Sequence, residues 1–289
     1  MTIYLKKFKV IKFIRYLCCA ILPIIIINAT QVTAIPTSQN KQDIDSFIQW
    51  CKQKDTVLPE IQHTIEVLLG QVGTEDCDRA SQELNQLSTL KLQMAEITDL
   101  SPLQVLTNLT KFQLSYNRKI RDLSPLKRLT NLTEINFAVI PMRDLSPLAE
   151  LTNLTKLSLW RNGIRDLSSL PPLNNLTELV IGENLVSDLS PLSRFTNLKS
   201  LTFVYTKIRD LSPLAKLTNL TGLQLVYNTI SDLSPLSKLT NLTTLDLSYN
   251  QISDLSPLSR LTNLTKLVLK GNPIRNKTCP VKPESICVF

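Results

Sequence analysis

A single histidine, His63, stands in 289 residues. That excludes a histidine metal cluster and leaves at most one imidazole for acid–base chemistry. Glycine is scarce as well, at six residues, far below what a collagen or a flexible linker protein requires. There is no G-x-S-x-G elbow, no Walker loop, no G-x-G-x-x-G turn and no histidine–carboxylate cluster. His63 has no cysteine or serine nucleophile pattern near it and reads as a structural or surface residue. The chain is therefore expected not to be an enzyme, with no catalytic residue, no cofactor and no metal. At 43% hydrophobic and 19% charged, what is present lies within the globular range.

The formal net charge of +8 invites a nucleic-acid reading, but the placement of that charge argues against it. Lys6, Lys7, Lys9, Lys12 and Arg15 precede an apolar run from Tyr16 to Ile27, and small and polar residues follow to Val32-Thr33-Ala34. A basic head, a short apolar run and a small residue at the cleavage point read as a secretory signal peptide over residues 1–34. The run is shorter than the roughly 20 residues of a spanning helix, although an uncut signal would serve as an anchor. Without residues 1–34 the net charge falls from +8 to +3, and no basic stripe with interleaved aromatics remains. Nucleic acid is not expected as a partner, and a membrane only through an uncut signal. The expected location is secreted, periplasmic or cell-surface.

Cysteine usage agrees with export. Cys18 and Cys19 fall in the signal, which leaves Cys51, Cys77, Cys279 and Cys287. Four cysteines allow three pairings. Two lie before the repeats described next and two after them, which favours Cys51–Cys77 and Cys279–Cys287 in an oxidising compartment. The rival, a zinc site made of all four, lacks C-x-x-C spacing.

The string Leu-Thr-Asn-Leu-Thr, or a close variant, begins at Leu106, Leu129, Leu151, Leu173, Phe195, Leu217, Leu239 and Leu261, spaced by 23 and then by 22 residues. With a degenerate unit opening at Leu87, about nine units fill residues 87–275. The best-formed unit starts Leu242-Thr-Thr-Leu-Asp-Leu-Ser-Tyr-Asn and ends Asp254-Leu-Ser-Pro-Leu258. Leu245 and Leu247 alternate with polar residues at the strand period, so one face goes inward. Ser256-Pro257 suits the start of a short helical or 3₁₀ turn, with Ser as the cap. No unit can bury its leucines alone, so stacking must supply the core.

The L-x-x-L-x-L-x-x-N-x-I pattern followed by D-L-S-P-L resembles the leucine-rich repeats of the internalin-like and phosphatase-regulator-like class. The whole is similar to secreted bacterial, cyanobacterial-type, leucine-rich repeat proteins. The resemblance implies an α/β solenoid: a curved horseshoe with a parallel β-sheet on the concave face, short helical or 3₁₀ turns on the convex face, and a helical N-terminal cap. It also implies that Asn117, Asn162, Asn184, Asn228, Asn250 and Asn272 form an internal hydrogen-bonding ladder, interrupted at Ala95, Ile140 and Thr206. The aspartate column from Asp99 and Asp122 to Asp254 reads as turn chemistry. Asn-X-Thr strings such as Asn108-Leu109-Thr110 read as by-products of the repeat. Internalins follow their repeats with an immunoglobulin-like module and a cell-wall sorting signal. The residues after Asn272-Pro273-Ile274 show neither pattern, so a host-invasion role is not carried over.

Residues 35–86 read as a helical N-terminal cap closed by Cys51–Cys77, and residues 276–289 as a C-terminal cap closed by Cys279–Cys287. In the N-terminal cap, Phe47, Trp50 and Cys51 share one face of a first helix. Leu58, Ile61, Ile65 and Leu68 line a second, and Thr74 is placed to cap a third. Function is expected on the concave face, at the third, fifth, seventh and eighth positions of each unit. The eighth column contains Tyr116, Arg161, Glu183, Tyr205, Tyr227 and Tyr249, and the seventh Trp160. Exposed Tyr, Trp and Arg are typical of binding hot spots. A protein partner is expected on these residues; a glycan-binding module or a structural envelope protein is the alternative.

Overall fold

The computed structural model describes residues 45–289. The signal segment, Cys18, Cys19 and residues 36–40 lie outside the described residues. Three helices open the described chain: α1 (Phe47–Lys52), α2 (Pro59–Val72) and α3 (Cys77–Gln86). Ser46 caps α1, its hydroxyl accepting from the Gln49 amide at 3.4 Å. Pro59 opens α2 at a position where a missing N–H costs nothing, and Gly73 closes it in the left-handed conformation at φ 69°.

In these helices two details differ from the sequence reading. Leu58 precedes the proline, is held extended and stays 58% exposed, so it does not line α2. The cap of α3 is Asp76, which accepts from the Arg79 amide at 2.9 Å; Thr74 instead accepts from the Asp76 amide. The Cys51–Cys77 disulfide ties α1 to α3, with 5.6 Å between α-carbons. Phe47, Trp50, Ile65, Leu68 and Leu84 bury themselves between the helices, and the Trp50 indole N–H has no hydrogen-bond partner there.

Ten strands follow and form one open parallel sheet in chain order. They are β1 (Thr89–Gln93), β2 (Lys111–Ser115), β3 (Glu134–Ala138), β4 (Lys156–Trp160), β5 (Glu178–Gly182), β6 (Ser200–Val204), β7 (Gly222–Gln224), β8 (Thr244–Asp246), β9 (Lys266–Val268) and β10 (Cys287–Val288). Each of β1 to β9 is the alternating segment of one repeat, paired in register so that Leu157, Leu179, Leu201 and Leu223 stand side by side. The strand leucines and their equivalents are almost wholly buried, as are the leucines of the returning segments. β10 adds a strand from beyond the repeats, next to the disulfide Cys279–Cys287.

Every return segment between β1 and β9 but one carries a 3₁₀ turn, for example Ser190–Arg194, Ser212–Lys216, Ser234–Lys238 and Ser256–Arg260. The serine is the first residue of the turn rather than its cap, and Leu255 occupies the cap position in the last of them. Asp254 does the capping: one carboxylate oxygen accepts from the Ser256 amide at 2.8 Å and the other from its hydroxyl at 2.8 Å. The same Asp–Ser pairing recurs at Asp122, Asp144 and Asp166. Hydrogen bonds from serine hold the carboxyls of Asp144, Asp166, Asp188, Asp210, Asp232 and Asp254 below the usual carboxylate range. Where Ser168-Ser169 replaces Ser-Pro, a plain turn stands in place of the 3₁₀ segment.

Three hydrogen-bond ladders join the units. In the first, each buried asparagine serves the preceding unit: Asn184 accepts from the amides of Ile164 and Asn162 and donates to the carbonyls of Leu159 and Gly182. Asn117, Asn162, Asn228, Asn250 and Asn272 repeat the arrangement. At the Ala95 gap, His63 of the cap sits 2.6 Å from the Ala95 carbonyl. The second and third ladders come from Leu-Thr-Asn-Leu-Thr itself. Asn197, Asn219 and Asn241 each donate to a carbonyl 23 residues earlier. Thr133, Thr155, Thr221 and Thr243 do the same from their hydroxyls, 22 or 23 residues back. The residues that spell Asn-X-Thr are thus mortar between units.

Candidate functional site

The outer face of the sheet is built by the third, fifth and seventh positions, which point away from the leucines. Its centre is apolar: Trp160, Gly182 and Val204 are adjacent across β4, β5 and β6, with Val180 two residues before Gly182 on β5. The Trp160 ring lies on Gly182, so close that a β-carbon there would fall 2.0 Å from it. Ion pairs flank this centre, Lys156–Glu178 at 3.4 Å and Lys111–Glu134 at 3.3 Å. Between them a depression of about 230 Å³ is lined by Glu134, Asn136, Lys156, Ser158, Glu178 and Val180.

The eighth column lies elsewhere than expected. Met94, Tyr116, Val139, Arg161, Glu183, Tyr205, Tyr227 and Tyr249 all have left-handed backbone, with φ between 47° and 58°. They stand where the chain turns away from the strand, at the margin of the sheet rather than on its face. Their amides still complete the parallel ladder, as in Tyr205 to the Val226 carbonyl at 3.0 Å and Tyr227 to the Ser248 carbonyl at 3.0 Å. The backbone turns only after that bond. Glycine or asparagine would meet this conformation with less strain, so side chains of this size are held there at a local cost.

The three consecutive tyrosines make one object. The rings of Tyr205 and Tyr227 stack at 4.1 Å, 10° from parallel, and those of Tyr227 and Tyr249 at 4.2 Å, 2° from parallel. Tyr249 in turn rests on Gly271, where a β-carbon would meet its ring at 2.5 Å. The faces of Tyr227 and Tyr249 are therefore covered on both sides, and the ring edges and hydroxyls are what solvent meets. Hydrogen bonding with Tyr205 and partial burial raise the Tyr227 phenol above its ordinary value. All three remain well exposed, at 51%, 37% and 45%.

Of the other expected residues, Arg161 and Glu183 are brought together, 3.0 Å apart across adjacent units. Tyr116 is exposed at the same margin, some units from the tyrosine stack. Asp246 accepts from the amide and hydroxyl of Ser248 at 3.0 and 2.6 Å, so its carboxylate is engaged locally. Sequence reasoning missed Gly182 and Gly271 as the floors beneath Trp160 and Tyr249. The signal was available: each glycine shares a repeat column with the aromatic residue before it. Among the described residues no group of three His, Cys, Asp or Glu side chains is placed to hold a metal.

The family described as Leucine Rich repeats (2 copies) matches residues 152–194, 196–238, 218–260 and 240–278. Among curated proteins none matches. An internalin of Listeria monocytogenes is 31% identical over 81% of this chain and 74% of its own, with a TM-score of 0.64. Internalin C2 of Listeria monocytogenes is 35% identical over 70% of this chain and 90% of its own, at 0.62. A leucine-rich repeat protein of Leptospira interrogans is 25% identical over 69% of this chain and 53% of its own, at 0.59. The register, the ladders and these likenesses agree, and the chain belongs to the leucine-rich repeat family, with repeats of the internalin kind.

Proposed function

We propose that the protein is an exported interaction module whose sheet face and tyrosine margin bind a protein partner. One observation carries the reading: Tyr205, Tyr227 and Tyr249 are held exposed, stacked and in left-handed backbone. Rings packed against each other lose little further freedom on binding, which is why rigid aromatics make good anchors. The apolar centre of Trp160, Val180 and Val204, ringed by Lys156–Glu178 and Arg161–Glu183, supplies the desolvated core and polar rim of a protein interface. Export is supported by the character of residues 1–34 and by the two disulfides. No helix of the described residues is long and apolar enough to cross a membrane.

The glycan alternative fares worse at this margin. A sugar stacks on an open ring face, and the faces of Tyr227 and Tyr249 are occupied by neighbours. The test is comparative capture from the native envelope and medium, using the protein and its Tyr205→Asn/Tyr227→Asn/Tyr249→Asn variant. Asparagine suits left-handed backbone, so the fold should be kept. A protein bound by the first and lost by the second supports the reading; equal capture by both overturns it.

A further inference from the structure

A second surface lies on the opposite flank of the sheet, where the strands begin. Arg194, Lys216, Lys238 and Arg260 each end a 3₁₀ turn, one per unit, and all are exposed. Consecutive units stack about 4.8 Å apart at the strands, so these four form an evenly pitched cationic row. Among the described residues none of the four has a carboxylate within ion-pair distance. The segments joining each turn to the next strand, from Ser190 to Lys266, carry no acidic residue between the turn and the strand. The nearest carboxylates in sequence, such as Asp188 and Asp210, lie at the far end of the turns, about 10 Å away by 3₁₀ rise, and are bonded to their serines.

A groove runs beside this row. One part of it, about 510 Å³, is lined by Asn174, Asn197, Lys199, Asn219 and Thr221 among others. A smaller depression containing Arg194 shares Asn174 and Asn197 with it, so the groove opens beside the first cation of the row. Each groove asparagine spends its amide N–H on the preceding unit, which leaves its carbonyl oxygen to accept from a ligand. The hydroxyls of Thr196, Thr218 and Thr240, exposed between the cations and the asparagines, point to the same use.

We propose that this flank binds a linear polysaccharide bearing a negative charge on its sugars, seated along the groove with its anions on the cationic row. The polymer's hydroxyls would meet the asparagine and threonine groups, and its charges would meet one cation per unit. Two other polyanionic partners fit less well. Single-stranded nucleic acid needs exposed aromatic platforms, and the one aromatic on this flank, Phe195, is 4% exposed. A lipid surface needs apolar side chains to insert, and the exposed large apolar residues, Leu58, Met94, Leu185, Val288 and the tyrosines, belong to none of the segments that form the row and the groove.

The test is titration of the full chain with polygalacturonate, dextran sulfate, neutral pullulan and a DNA duplex, at several salt concentrations. The variant is Lys216→Gln/Lys238→Gln/Arg260→Gln, which spares Arg194 and its bond to the Leu170 carbonyl. The control removes three exposed cations elsewhere, by Arg143→Gln/Arg165→Gln/Arg209→Gln. One or both charged glycans should bind and pullulan should not, with affinity at least about tenfold weaker and the salt slope shallower in the variant. Which glycan binds tells a carboxylate ligand from a sulfate one. Unchanged affinity in the variant, an equal loss in the control, no binding of either charged glycan, or DNA bound as tightly as the glycans would overturn the proposal.

Discussion

The ring of Tyr249 lies on the backbone of Gly271, with space for no β-carbon between them. Gly271 also has φ +69°, which any other side chain adopts at a cost. The tyrosine stack therefore ends on a residue that must be glycine on two counts. Gly271→Ala should lower stability by about 1 kcal/mol or more and displace Tyr249 from Tyr227. Thermal denaturation together with tyrosine near-ultraviolet dichroism checks both; an unchanged dichroism would show that the floor does not position the ring.

The buried asparagine ladder and the edge ladder should differ sharply in worth. Asn184 serves four backbone groups within the core, and Asn184→Ala leaves the Asn162 and Ile164 amides without a partner, while the Gly182 carbonyl keeps the Arg161 amide. Each orphaned group costs about 1–3 kcal/mol, so a loss of about 3 kcal/mol or more is expected in denaturant unfolding. Asn219→Ala removes one exposed bond to the Thr196 carbonyl and should cost less than about 1 kcal/mol. Similar losses for the two would contradict the assignment of the inner ladder as the main tie between units.

The aspartate column makes stability acid-sensitive. The carboxyls of Asp166, Asp188 and Asp210 titrate below their ordinary range in the folded chain because serine amides and hydroxyls bond the ionised form. Their contribution is complete above the unfolded value of about 4 and is lost as pH falls through the lower folded value. The melting temperature should hold steady from neutrality to about pH 5 and decline below about pH 4. In Asp188→Asn/Asp210→Asn/Asp232→Asn the decline should be shallower, since asparagine accepts from the serine amide without titrating. An identical decline in that variant would place the acid sensitivity elsewhere.

Loss of the first disulfide should act on the cap. Cys51→Ala/Cys77→Ala frees α1 from α3, and a loss of about 2–4 kcal/mol is expected. Trp50, 1% exposed against that helix pair, should then report loosening by a red shift of its emission. Unchanged emission with unchanged melting would show that packing of Phe47 and Trp50 alone holds the cap.

The repeat pattern made the architecture legible because each leucine column is fixed by a strict period, and stacking identical units has one parallel solution. The cysteine pairs were legible because the repeats keep Cys51 and Cys77 far in sequence from Cys279 and Cys287. What escaped was conformation that a pattern of apolar and polar letters does not encode. Positions seven and eight are adjacent, so both cannot face outward on a strand of period two. The left-handed turn at Tyr205, Tyr227 and Tyr249 resolves that conflict by moving them to the margin. Thr74 and Asp76 are both good caps, and the choice rested on which of them lies three residues before Arg79. The edge ladders escaped because Asn and Thr outside the strands read as repeat consensus, while their partners are carbonyls one unit away.

The most direct measurement is hydroxyl-radical footprinting of the protein with and without the partner recovered by capture. Protection of Tyr205, Tyr227, Tyr249 and Trp160, with Met94 and the 3₁₀ turns unchanged, is the expected result. Tyrosines as reactive in the complex as in the free protein, with protection confined to another surface, would contradict recognition at the sheet face and its margin.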